Sequence, residues 1–124
     1  MADEGQDQKF HQLVILRGES KGKRWLLKSG QAYTIGRDAD NEITLNDQSV
    51  SRSHALIHQV DGVWMVQDVE STHGTHINEE RVDGRSPIFH KDVLRLGKSS
   101  LVFGAVKHPE LQENAEKAHE QKNQ

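Results

Sequence analysis

The chain has 124 residues, of which 33% are hydrophobic and 28% charged, and its formal net charge is −3. That length suits one small core with tails rather than two cores, and the acidic balance excludes a general nucleic-acid binder, which needs a dominant basic surface. The absence of cysteine excludes disulfides and thiolate metal sites.

Residues 1–8 are polar, with Asp3, Glu4 and Asp7, and read as a disordered lead-in. The opening residues hold no apolar signal core and no glycine at the second position, so neither a signal peptide nor a myristoylation site is expected. Apolar runs stay far below the roughly 20 residues of a membrane helix. The expectation is a soluble cytoplasmic protein with no membrane partner.

From residue 13 the chain becomes strand-like. Leu13-Val14-Ile15-Leu16 reads as a strand buried on both faces. Residues 18–23 form a turn, residues 24–27 return, and Tyr33-Thr34-Ile35 is a third strand that ends at Gly36-Arg37. Residues 38–41 have the side chains that bond to nearby backbone in loops, and residues 42–46 alternate polar and apolar as a half-buried strand does. Asp61-Gly62 is a strong hairpin signal between residues 55–60 and 63–69. Residues 71–76 form a loop, Ile77 and Val82 lie in short strands, and Asp83-Gly84 turns the chain. Residues 93–96 and 101–103 make a last pair around Gly97-Lys98.

Short strands punctuated by turns at intervals near ten residues predict an all-β, two-sheet sandwich of about eleven mainly antiparallel strands. The sandwich domain is expected over residues 9–106. Pro109 and the helix-favouring residues after it predict a charged helical tail or linker over 107–124, with a frayed tail as the competing reading. Glu113 and Lys117 are spaced for an i,i+4 pair, while Leu111, Ala115 and Ala118 make only a thin apolar stripe. That tail carries the further expectation of an attached output domain.

Three polar clusters stand at strand boundaries: Gly36-Arg37, then Ser51-Arg52-Ser53-His54, then Ser71-Thr72-His73-Gly74-Thr75. If the strands pack as a sandwich, these loops can converge at one end. An arginine, hydroxyls and a glycine-bearing turn, brought together, make a local site for a phosphate group. Arg37 offers a planar fork of donors suited to a bidentate phosphate contact.

These clusters, in this order and with Asn78 three residues after Thr75, resemble the forkhead-associated (FHA) domain, a phosphothreonine-binding β-sandwich. The resemblance runs from Leu13 to Val106. It implies that Arg37, Ser51 and Thr72 hold the phosphate, and that Arg52 and His73 face the peptide. It implies supporting roles for Gly36, His54, Gly74 and Asn78: the glycines leave room for backbone, His54 is a buried strut, and Asn78 supports the loop before it. The chain departs from the family at His73, where asparagine is usual and contacts the peptide main chain, and at Glu79, where glycine is common. Histidine can donate one hydrogen bond there but lacks the amide's paired donor and acceptor. The implied partner is a phosphothreonine-containing protein or peptide, with a Ser/Thr kinase or its substrate behind it.

The same residues bear on other classes of function. No G-x-S-x-G elbow or Walker pattern occurs, and Ser51 with His54 has no recognisable acid partner, so no catalytic residue and no cofactor are expected. His54 and His58, on one strand, lie about 13 Å apart, too far to share an ion. His73 and His76, in a loop, leave a metal reading open. A second alternative keeps the fold but binds its partner without phosphate.

Overall fold

The computed structural model describes residues 10–69 and 71–106. The expected lead-in and the expected C-terminal helix or linker lie outside these residues. Eleven strands occur among them: β1 (Phe10–Arg17), β2 (Arg24–Leu27), β3 (Tyr33–Gly36), β4 (Ile43–Thr44), β5 (Ala55–Val60), β6 (Val63–Asp68), β7 (Thr75–Ile77), β8 (Glu80–Arg81), β9 (Arg85–Pro87), β10 (Val93–Leu96) and β11 (Ser99–Val106).

They form a six-stranded sheet in the order β2-β1-β11-β10-β7-β8 and a five-stranded sheet in the order β4-β3-β5-β6-β9. Strands β3 and β4 pair in parallel, whereas the other pairings with a defined register are antiparallel. This is the predicted sandwich. No helix among the described residues is long and apolar enough to cross a membrane.

The core follows from the two-residue period of strands. Leu13 and Ile15 point inward from β1, Ile57 from β5, Trp64 and Val66 from β6, Leu94 and Leu96 from β10, and Leu101 and Phe103 from β11. At the end of the sandwich away from the polar clusters, Phe103 stacks on His11 and meets Trp64 edge-on, and the Trp64 indole N–H donates to His11 Nδ1 at 3.0 Å. This wedge of rings fixes the spacing between the sheets at one end.

The hairpin at Asp61-Gly62 is present, with φ of 53° and 83°. Both values suit the turn whose twist matches its flanking strands. Three expectations change. The residues 13–16 are not buried on both faces: Val14 is half-buried and Leu16 is 43% exposed, because β1 covers the core with one side only. Residues 85–87 form an unforeseen strand, which tolerates Pro87 because β9 lies at a sheet edge. The loop after residue 70 ends at Gly74, and Thr75 and His76 already belong to β7.

Because Phe103 is almost wholly buried and holds the ring wedge, Phe103→Ala should cost roughly 3–5 kcal/mol of folding stability. Chemical denaturation checks this.

Candidate functional site

Strand β3 delivers Gly36 and Arg37 to the end of the sandwich, and Gly36 sets how close the neighbouring loop comes. A Cβ on Gly36 would lie 2.1 Å from the Arg52 carbonyl oxygen, a backbone atom that cannot swing away. That contact lets the Arg37 N–H donate to the Ser51 carbonyl at 2.9 Å and the Asp38 N–H to the Arg52 carbonyl at 3.2 Å. Asn41 reinforces the junction, its amide donating to the carbonyls of Arg52 at 2.7 Å and Asp38 at 2.8 Å.

Arg37 is half-buried, and its Nε donates to the Val50 carbonyl at 2.9 Å. This single bond anchors the guanidinium by its inner edge. Among the described residues, no hydrogen bond occupies the terminal nitrogens.

The second junction joins Ser51 to Thr72. The Thr72 N–H donates to Ser51 Oγ at 3.0 Å, and that hydroxyl lies 3.5 Å from Thr72 Oγ1. Three loops separated widely in sequence therefore meet at Ser51. Arg52 and His73, the residues that follow Ser51 and Thr72, lie exposed.

His54 holds the junction from beneath. It is fully buried, its Nδ1 accepting from the Ser51 N–H at 3.0 Å and its Nε2 facing the Gly74 carbonyl at 2.9 Å. The first contact requires an unprotonated Nδ1, and the second a donating Nε2–H, so the bonding fixes one neutral tautomer. Burial pushes the His54 pKa below its ordinary value, against the opposing influence of the Gly74 carbonyl and Asp68. Gly74 supplies this carbonyl from a backbone with φ of 83°, a conformation that favours glycine.

Several supports escape sequence reasoning. Asp68 Oδ1 accepts from the Thr75 hydroxyl at 2.6 Å, and the same carboxylate takes the Ser71 hydroxyl and, through Oδ2, the Ser71 N–H. Burial would raise the Asp68 pKa, but these hydroxyl and amide donors outweigh it and hold the carboxyl below its usual range. Asp47 likewise gathers the Ser49 and Ser99 hydroxyls at 2.7 and 2.6 Å. The available signal was a carboxylate three residues before a serine, which is too common to single out Asp68. Asn78 holds a different loop from the expected one. Its amide donates to Asp92 Oδ1 and accepts from the Val93 N–H, because the turn it occupies faces the start of β10.

Among the described residues, no group of three His, Asp or Glu side chains is arranged to hold a metal ion. The chemistry on offer is that of donors without a bonded carboxylate among the described residues: a guanidinium, two hydroxyls and exposed side chains over a rigid base.

Replacing His54 by Phe keeps a ring but strands the Ser51 N–H and the Gly74 carbonyl. Each unpaired buried group costs about 1–3 kcal/mol, so His54→Phe should lose at least ~2 kcal/mol in a denaturant titration. The depressed folded pKa also sets a pH dependence. Below about 6.5 the unfolded chain takes up the His54 proton before the folded one does. The contribution is complete above that pH and declines as pH falls toward the depressed value. The variant should lack this decline.

The FHA domain model matches residues 33–97, more than half of the chain. The glycogen accumulation regulator GarA of Mycolicibacterium smegmatis is 40% identical over 91 residues, covering 73% of this chain and 56% of GarA. The chain thus spans little more than half of that relative. An FHA domain of an Arabidopsis thaliana hypothetical protein superposes with a TM-score of 0.76 at 29% identity, over 80% of this chain and 87% of that one. A domain solved in work on phosphothreonine-dependent FHA domain interactions gives a TM-score of 0.68 at 30% identity, over 77% and 95%. The family match and the identity to GarA together carry the conclusion: the chain belongs to the FHA domain family, a family of interaction modules and not of enzymes.

Proposed function

We propose that the end of the sandwich formed by the three loops binds a phosphothreonine-containing peptide. Arg37, Ser51 and Thr72 grip the phosphate, and Arg52 and His73 meet the peptide around it. The observation that carries this reading is the state of Arg37: half-buried and held by Nε alone, with its terminal nitrogens uncommitted among the described residues. A guanidinium fixed by its inner edge presents the other nitrogens to an anion. The Ser51 and Thr72 hydroxyls lie on the loop bonded to Arg37 and on the loop bonded to Ser51. A phosphothreonine supplies the matching charge of about −1.5 to −2 and three acceptor oxygens.

Family membership supports this reading, as does the fold shared with a domain from work on phosphothreonine-dependent interactions. His73, exposed beside Thr72, offers a single donor to the peptide main chain. The binding unit is residues 9–106, acting in the cytoplasm in Ser/Thr kinase signalling. The partner is the kinase or its substrate. Similarity to a regulator such as GarA fits a role in controlling another protein's activity through a docked phosphopeptide.

Two charge-assisted bonds are together worth several kcal/mol. Arg37→Ala should therefore weaken binding of a phosphothreonine peptide roughly a hundredfold or more, while thermal unfolding shows an intact fold. Fluorescence anisotropy with phosphorylated and unphosphorylated forms of one peptide checks this. Equal binding of both forms by the wild type would establish the phosphate-independent alternative.

A further inference from the structure

The outer face of the five-stranded sheet carries a row of side chains that crosses the whole sheet. Strand register sets it: Arg85 lies opposite Gln67, Gln67 opposite Leu56, and Leu56 opposite Thr34. Glu42, one residue before β4, extends the row, because its Oε1 accepts from the Thr34 N–H at 3.0 Å and the Thr34 hydroxyl at 2.6 Å. The row therefore runs Glu42-Thr34-Leu56-Gln67-Arg85, with an acid at one end, a base at the other and a leucine at the centre.

The neighbouring rows are apolar. His58, Met65 and Pro87 lie side by side in the next one, and Val60 pairs with Val63 beyond it. These residues face outward because Ile57, Trp64 and Val66, which alternate with them, take the core side. Leu56, Val60 and Met65 are half-buried, Val63 is 37% exposed and Pro87 is exposed. His58 adds ring surface rather than a polar tip, since its Nε2 is buried without a hydrogen-bond partner. A solvated sheet face ordinarily turns polar residues outward, so an apolar centre here is a surface for another molecule to cover.

The rim charges identify the cover. Arg85 is exposed and has no carboxylate bonded to it among the described residues. The Glu42 contacts to Thr34 both fall on Oε1, which leaves Oε2 uncommitted. A two-fold axis parallel to the strands and passing over β5 exchanges the two ends of the row. Leu56 then meets its own copy, Thr34 meets Gln67, and Glu42 meets Arg85 at both ends. An interface of this kind uses one self-complementary patch on both subunits, and aligned sheet faces pack about 10 Å apart. Five strand spacings of about 4.8 Å and six residues of about 3.4 Å make a face of roughly 24 by 20 Å, so two copies bury on the order of 1,000 Å². That is the size of a weak, reversible association.

We infer that this face pairs with the same face of a second copy of the chain, forming a weak two-fold dimer held by an apolar centre and two Glu42–Arg85 contacts. No phosphorylated ligand enters the contact.

Sedimentation velocity of the whole chain, without peptide, tests it. The wild type should pass from monomer to dimer between about 10 μM and about 1 mM. Glu42→Arg and Arg85→Glu, each alone, set like charges together at both contacts and should weaken association roughly tenfold or more. An equimolar mixture of the two variants restores opposite charges at both contacts in a heterodimer, and should associate as the wild type does. Thermal unfolding checks each variant's fold. If Glu42→Arg, which gives up the Thr34 bonds, fails to fold, Arg85→Glu at the sheet edge decides alone: it should be monomeric while Arg85→Lys still dimerises. A wild type that stays monomeric throughout overturns the inference and leaves the face to a different protein. Dimers that survive both reversals, or a mixture no better associated than the single variants, overturn it as well. Loss of phosphopeptide binding, measured separately, touches only the reading of the three-loop site.

Discussion

Buried His54 touches Ser51 with one ring nitrogen and Gly74 with the other, and the remaining site geometry hangs on that bridge. Loop backbones carry donors and acceptors that no strand satisfies, so a loop cluster keeps its shape only if something else pairs them. A neutral imidazole is suited to the task because it offers one acceptor and one donor on opposite sides of a rigid plane. Here it spans a separation of 20 residues along the chain. The sheets hold the bridge too: the His54 N–H donates to Ile35, and its carbonyl accepts from Val69. A binding surface made of loops thus inherits the stiffness of the strands beneath it.

Around this bridge, two carboxylates do similar work, Asp68 within one loop and Asp47 across 52 residues of chain. Asp68 draws Ser71 and Thr75 together, and Asp47 draws Ser49 and Ser99 together. Both sit next to residues of the proposed ligand surface while turning their charge toward hydroxyls. An anion site surrounded by free carboxylates would repel its ligand. Tying these groups into short hydroxyl bonds engages their negative charge and stiffens the loops.

Sequence reading succeeded where the physics is local. Asp61-Gly62 announces its turn because the required positive φ values are a property of two adjacent residues. The positions of Arg37, Ser51 and Thr72 at strand ends follow from the strand pattern, so their convergence could be foreseen. The grip of Asn41 on the Arg52 carbonyl could not, since it depends on a close backbone approach at Gly36 that only the folded chain defines. Leu16 misled for the opposite reason. Four apolar residues in a row look buried on both faces, yet β1 has only one core to cover. The partners of Asn78 are not legible in the sequence, because Asp92 and Val93 lie 14 and 15 residues away.

Glu79 shows how a local cost and a distant charge can be linked. It occupies the second position of a two-residue turn with φ of 70°, where glycine would be free of strain. What the side chain gains is a two-pronged contact with Arg95, and Arg95 holds the carboxyl below its ordinary pKa. The pair is exposed, so its effect on stability is small. Its structural effect is larger, because a long arginine that would otherwise sample many rotamers is pinned across the outer face of β10. Glycine at position 79 would relax the turn and release that arginine. The departure from the usual residue therefore exchanges backbone comfort for a fixed guanidinium beside the loop junction, its charge balanced by the carboxylate that fixes it.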